Sequence, residues 1–185
     1  MHKRQFRSDD PERRTWQDPG RILPATGLSP GMVFVDMGCG DGYFTFPAAR
    51  IVGPRGRVNA VDIDPDAIGR LRGQAMRENL TNVVAAAKPA EETVICEGCA
   101  DMVFFGINLH DFADPVQVIR NAKTMLRPEG RLIDLDWKDE PMEIGPPPEK
   151  RFSPEKARNM IGKEGFRIIS LEDCGPYHYL IIAEK

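Results

Sequence analysis

The chain has 185 residues, 41% hydrophobic and 29% charged, which is enough apolar material for one continuous core and close to the length of one ordinary domain. Lys and Arg number 25 against 28 Asp and Glu, a formal charge of -3, which argues against general affinity for a nucleic-acid backbone. No apolar run approaches the roughly 20 residues of a membrane span, and the basic start from Met1 to Arg7 runs into acids and Pro, so a soluble, cytoplasmic protein without a secretory signal is expected.

The first 21 residues carry Lys3, Arg4, Arg7, Arg13, Arg14 and Arg21 against Asp9, Asp10, Glu12 and Asp18, a mixture that reads as a solvated segment. A helix is predicted near residues 10–17, and residues 1–29 form an N-terminal helical segment that could act as a lid. Residues 30–185 read as one α/β domain. Its first strand is predicted at 32–36, followed by a helix at 43–52, a strand at 58–61, a helix at 65–79 with Asp64 as N-cap, and a strand at 83–87. A fourth strand is predicted at 102–105, a helix at 115–126 opened by Pro115, and a fifth strand at 131–135. After the stiff connector Gly145-Pro146-Pro147-Pro148, a helix at 153–163 is capped by Ser153 and stopped by Gly165. The closing strands, 167–171 and 179–183, are joined by a link too short for a crossover and should be antiparallel. The fold class is therefore a Rossmann-like doubly wound sheet of seven strands, mostly parallel, ending in an antiparallel hairpin.

Four cysteines, at 39, 96, 99 and 174, are expected to be reduced in such a compartment. Cys96-Glu97-Gly98-Cys99 has the spacing of half a zinc or redox site, but no second pair completes a tetrahedral set, so no metal site is expected.

The turn Asp36-Met37-Gly38-Cys39-Gly40-Asp41-Gly42 lies where the first strand meets the first helix of the domain, the place where open α/β sheets bind ligands. Glycine lets a ligand lie against the main chain. Asp62 closes the second strand about 20 residues on, as a carboxylate must to take a ribose diol. A dinucleotide turn would want a small residue where Tyr43 stands, and Asp36 is ill suited to a pyrophosphate but suits an amino group. An amino acid joined to adenosine satisfies both ends.

These residues resemble the class I S-adenosylmethionine-dependent methyltransferases over about residues 30–185. The resemblance implies S-adenosylmethionine as cofactor and S-adenosylhomocysteine as product, with Asp36, Gly38, Gly40 and Gly42 around the methionine and ribose portion. It implies Asp62 on the ribose hydroxyls and Ile63 on the adenine face. Leu126-Arg127-Pro128-Glu129-Gly130 resembles the family's turn before the fifth strand, with Glu129 in place of a glycine. The segment from Asp101 to Asp111, including Gly106, resembles the stretch that faces both methyl donor and acceptor. The pattern is nearest to the ubiquinone/menaquinone C-methylating and arsenite-methylating enzymes, although arsenic methylation uses several positioned thiols. Where the family places an Asp for the adenine amino group this chain has Pro89, so adenine binding would rest on apolar packing and the backbone of Ala90 or Glu91.

A sulfonium is an activated donor, so methyl transfer needs mainly alignment. If the acceptor is a phenol, an acidic carbon or a thiol, an imidazole could take its proton. His110 is the candidate base by position, against the alternative of a loop histidine bonded to backbone, and Asn108 is a candidate for acceptor or cofactor contact. Asp111 would either orient His110 or cap the following helix, the cap being the simpler reading. Tyr43 would reach the methionine group or pack in the core, and Trp16 and Trp137 would wall an acceptor pocket or anchor their segments. A small-molecule acceptor is expected, with no membrane span and no general nucleic-acid binding. The alternatives are a catalytically silent S-adenosylmethionine-binding module or regulatory subunit, a protein or RNA methyltransferase, and a nicotinamide-dependent oxidoreductase.

Overall fold

A computed structural model describes residues 11–185; the basic stretch at 1–10, with part of the proposed lid, lies outside them. The elements in chain order are α1 (Pro11–Trp16), α2 (Pro19–Ala25), β1 (Val33–Met37), α3 (Thr45–Val52), β2 (Arg57–Asp62), α4 (Pro65–Arg77) and β3 (Val83–Ala87). They continue with β4 (Ala100–Gly106), α5 (Pro115–Met125), β5 (Leu126–Trp137), α6 (Pro154–Lys163), β6 (Arg167–Cys174) and β7 (His178–Glu184). All seven strands form one sheet in the order β3-β2-β1-β4-β5-β7-β6. The first five run parallel, and β7 pairs antiparallel with both β5 and β6. The order reverses between β1 and β4, which places a crevice at their carboxyl ends.

The alternation of side chains along each strand separates two cores. Phe34, Met102, Phe104, Ile133 and Leu135 face α2 and α3, where Leu23, Phe44, Ala48 and Val52 cover them. Val35, Val103, Phe105 and Leu132 face the other way, toward Val118, Ile119 and Ala122 of α5 and Ala157 and Ile161 of α6. The strands are buried on both faces, which is why they read as nearly unbroken apolar runs.

Helix starts follow the capping rules: Asp18, Asp64 and Ser153 accept hydrogen bonds from the first-turn amides of α2, α4 and α6, each with Pro at the opening position. Gly165, at φ +80°, ends α6 in the left-handed region. Four expectations need correction. Helix α2 lies within the expected helical segment 1–29 but beyond its one placed helix near 10–17, because Gly20 and Pro24 disguise a short helix whose apolar residues only pay off against the sheet. Strand β5 begins at Leu126, not 131, because the Arg127 to Gly130 turn is a bulge within the strand, where pairing skips from Ala100–Leu126 to Met102–Arg131. The cap of α5 is Asp114, which accepts from the Gln117 amide at 3.0 Å, while Asp111 ends a separate single turn at Leu109–Asp111. Cys96 and Cys99, expected as thiols, are joined in a disulfide with Cα atoms 6.0 Å apart, in the loop that leads into β4.

Candidate active site

The glycine turn is held from three sides. Gly38 and Cys39 donate their amides to the Val61 carbonyl at 2.7 and 3.0 Å, and the Gly40 amide donates to an Asp62 oxygen at 2.7 Å. The Asn108 amide, arriving from beyond β4, donates to the carbonyls of Met37 at 2.6 Å and Gly38 at 3.0 Å. Gly38 has φ +75°, and a Cβ there would run into the Asn108 side chain. At Gly40, with φ +52°, a Cβ would project into open space, so the main chain there forms the wall of a cradle.

Asp36 lies under the turn, 2% exposed, and accepts the Thr45 hydroxyl at 2.6 Å. Burial raises its pKa to about 7, with the Thr45 bond opposing and the Asp62 charge adding to the rise. The other Asp62 oxygen takes the Asp64 amide at 2.9 Å. An ionised carboxylate has about four acceptor positions, so two backbone donors leave room for two hydroxyls. Beside it Ile63 is 72% exposed, an apolar surface left uncovered at the edge of the crevice.

A cavity of about 230 Å³ is lined by Arg13, Asp36, Gly38, Gly40, Tyr43 and Gly106 among others. Tyr43 is buried, and its hydroxyl donates to the Gln17 carbonyl at 2.5 Å. The Arg13 guanidinium stacks 3.6 Å above the Tyr43 ring. Helix α1 thus closes the cavity, an arrangement in which Tyr43 belongs to both the core and the cavity wall. A larger groove of about 680 Å³ runs between α3 and α4 and shares Asp41 and Tyr43 with the cavity, but none of the strand ends. Asp36, Gly38, Gly40 and Gly106 line the smaller space.

In the single turn that follows β4, His110 is held by Asp136 at the end of β5. Its Nδ1 lies 2.7 and 2.9 Å from the two Asp136 oxygens, and its amide donates to the same carboxylate at 3.2 Å. Its Nε2 is 3.4 Å from an Asp111 oxygen, and its side chain is 2% exposed. Burial works against the imidazolium, but the Asp136 bond and the Asp136 and Asp111 charges outweigh it and raise the pKa. His110 is therefore ordered by a carboxylate and not merely tied to backbone. Asp134, two residues back on the same face, is buried, and burial together with the Asp136 charge holds its carboxyl well above the usual range.

Ala90 and Glu91 form a single turn after β3, and their carbonyls accept the Asn121 amide at 3.0 and 2.8 Å. The Glu91 carboxylate takes the Ala113 amide at 2.9 Å, tying this rim to the start of α5. The structure thus places Asp36, Gly38, Gly40, Gly106 and Asn108 around one turn, with Gly42 closing it through its amide bond to Cys39. Arg13, within the segment expected as a lid, lines this wall, whereas Gln17, and His178, which lies under Trp16, are not foreseen there. Their only signal was a charged, aromatic N-terminal segment. Among the described residues no cluster of three or more His, Cys, Asp or Glu could hold a metal ion, and no described helix is long and apolar enough to cross a membrane.

Comparison with known proteins agrees with this geometry. Nocamycin O-methyltransferase of Saccharothrix syringae is 30% identical over 60% of this chain and 40% of its own length. The ubiquinone/menaquinone biosynthesis C-methyltransferase UbiE of Vibrio parahaemolyticus is 29% identical over 62% of this chain and 45% of its own. The chain spans less than half the length of these curated relatives. The crystal structure of a SAM-dependent methyltransferase from Aquifex aeolicus superposes with a TM-score of 0.90 and 25% identity, over 97% of this chain and 99% of that one. A family model described as a methyltransferase domain matches residues 28–160, and the chain belongs to that family, with the class I fold and S-adenosylmethionine as the family's cofactor.

Proposed function

We propose that the protein transfers a methyl group from S-adenosylmethionine to a small-molecule acceptor bound beside Gly106, His110 and Trp137. The observation that carries the reading is the glycine cradle between two acids of different character. Asp62 keeps acceptor positions directed to a diol, and Asp36 is a buried carboxyl poised to ionise when an ammonium group comes near. The Asn108 Oδ1 atom is buried with no hydrogen-bond partner, an acceptor that a ligand donor would satisfy. The exposed Ile63 offers a flat ring an apolar seat, and the Ala90–Glu91 turn forms the rim beyond it. These features fit an amino acid joined to adenosine.

When bound, the cofactor supplies an activated methyl group on a sulfonium. The protein's part is to hold donor and acceptor in line and exclude water. Gly38, Gly40 and Gly42 give main-chain contact, and Asn108 fixes the turn to β4. The base is His110: Asp136 fixes its ring through Nδ1 and raises its basicity, and Nε2, which a phenol, thiol or acidic carbon would share with Asp111, is the nitrogen that receives the proton. A small acceptor is favoured by the narrow, partly closed cavity and by relatives that act on small molecules by name.

Calorimetry with S-adenosylmethionine, S-adenosylhomocysteine and NAD tests the cofactor. Binding of both adenosyl ligands is expected, weakened about 30- to 100-fold in Asp62→Ala by loss of charge-assisted bonds to the diol. No binding of either, or preference for NAD, overturns the reading.

A further inference from the structure

At the edge where β5 ends and β7 begins, four rings form a box. His178 is fully buried, and neither ring nitrogen has a hydrogen-bond partner. Trp16 stacks on it with ring centres 5.3 Å apart and planes 18° apart. Trp137 lies 4.3 Å away on a tilted plane, and Tyr177 presents its edge. Trp137 is held from behind: a Cβ on Gly145 would come within 3.0 Å of its ring, and the Arg151 guanidinium sits 5.9 Å from it. Arg151 is itself fixed by bonds to the carbonyls of Lys138, Glu140, Ile144 and Pro146. Three walls of the box thus belong to the domain, and the fourth is the last residue of the short helix α1.

A buried imidazole with two unsatisfied nitrogens is costly, and in a native protein it calls for a missing partner. Among the described residues, Trp16 and Trp137 lie against the ring, but neither nitrogen finds a hydrogen-bond partner. The box opens at the carboxyl edge of the sheet: Trp137 ends the strand that pairs with β4 up to Gly106, a lining residue of the donor cavity. The same α1 that carries Trp16 carries Arg13, which covers that cavity.

We propose that the position now filled by the Trp16 indole is the acceptor site, a slot for a planar aromatic molecule bearing a hydroxyl or similar oxygen. Helix α1 swings away, the acceptor ring takes the place of the indole against Trp137 and His178, and its oxygen satisfies an imidazole nitrogen. Assigning the slot to the methyl acceptor rests on the methyl-transfer reading above; the slot itself does not. His178 orients the ring, and its neutral form donates or accepts one hydrogen bond without carrying charge.

The chain's two tryptophans are both in the box, so their emission reports on it directly. In Trp16→Ala the remaining Trp137 emission should shift to the red, and 4-nitrophenol should quench it saturably. Its affinity should exceed the wild-type value by about tenfold, because the competing closed state is removed. Nitrobenzene, which lacks the hydroxyl, should bind more weakly, and adding His178→Leu should abolish that difference. If Trp16→Ala does not fold, Trp16→Leu, which keeps an apolar side chain at the end of α1 but removes the indole, gives the same Trp137 readout. A folded variant that shows no saturable quenching, or that binds nitrobenzene as well as 4-nitrophenol, overturns the proposal. S-adenosylhomocysteine calorimetry on the wild type is run alongside: loss of that binding with the slot intact overturns the donor reading alone.

Discussion

The Nδ1 atom of His110 lies 2.7 Å from Asp136 Oδ1, with the two side chains 2% and 1% exposed. A buried imidazole would ordinarily be driven neutral, yet here the carboxylate reverses the outcome. Because the folded pKa is raised, the protonated pair stabilises the fold fully below the unfolded value, and that contribution fades as pH rises through the folded one. Asp136→Asn should therefore lower the His110 pKa, read by NMR titration of its ring protons, and reduce the acid-side stability advantage. With an acceptor in hand, the same variant should cost about 100-fold in kcat and move the acid limb of the pH profile to lower pH. An unchanged His110 titration would refute the pairing.

Asp36 has a folded pKa near 7 against an ordinary 3.8. Its neutral form stabilises the free protein fully at low pH, and this benefit is lost as pH rises through 7. Asp36→Asn, which keeps an acceptor for Thr45, should stabilise the free protein at pH 8 by up to about 4 kcal/mol. It should also weaken S-adenosylhomocysteine. In the wild type, binding at pH 6 should release a proton as the ligand's ammonium draws Asp36 into its charged form. Calorimetry in buffers of different ionisation heat measures this, and buffer-independent heats would contradict it.

His178 is pushed the opposite way, down to about 3, by burial and then by the charges of Arg13, Lys138 and Arg151. A depressed histidine stabilises the fold above its unfolded pKa and loses that contribution as pH falls toward the folded one. Melting temperature should decline between pH 6.5 and 3, and His178→Leu should flatten that decline by removing the buried titrating ring. A variant whose acid decline matches the wild type would place the sensitivity elsewhere.

Glu129 occupies the left-handed region at φ +63° inside the β5 bulge. That backbone costs a non-glycine residue roughly 1–2 kcal/mol, offset in part by the greater freedom of glycine in the unfolded chain. Glu129→Gly should therefore raise stability by about 0.5–1 kcal/mol, or some 1–3 °C in Tm for a chain of this size. Thermal unfolding decides it, and a lower Tm would mean that the Glu129 side chain makes a compensating contact.

The sheet was legible because its signals are local. β-branched runs, Pro at helix starts and capping acids such as Asp64 act within a few residues, and β3 coincides with its predicted span. The errors fall where a local signal competes with a distant one. Two acids three residues apart could cap α5, and only the path of the chain through Leu109–Asp111 assigns the role to Asp114. The cradle residues were readable from Asp36 to Gly42 for the same local reason. Asn108 is readable as a candidate for acceptor or cofactor contact, but not as the clamp on Gly38, which lies 70 positions away in sequence. His178, Gln17 and Arg13 acquire meaning only when α1 folds back over β7, and no spacing rule reports that.

Strand β7 runs against its neighbours, and this reversal changes what reaches the rim of the crevice. In a sheet of parallel strands only the segments leaving each strand emerge there. An inverted strand also delivers the segment that enters it, here the short turn from Gly175 to Tyr177. On the proposed reading, this hairpin tip would bear on the acceptor without being threaded through the cradle proposed for the donor. Such a tip can lengthen, shorten or change composition while the glycine turn stays intact, which separates the evolution of what is modified from the upkeep of what modifies it.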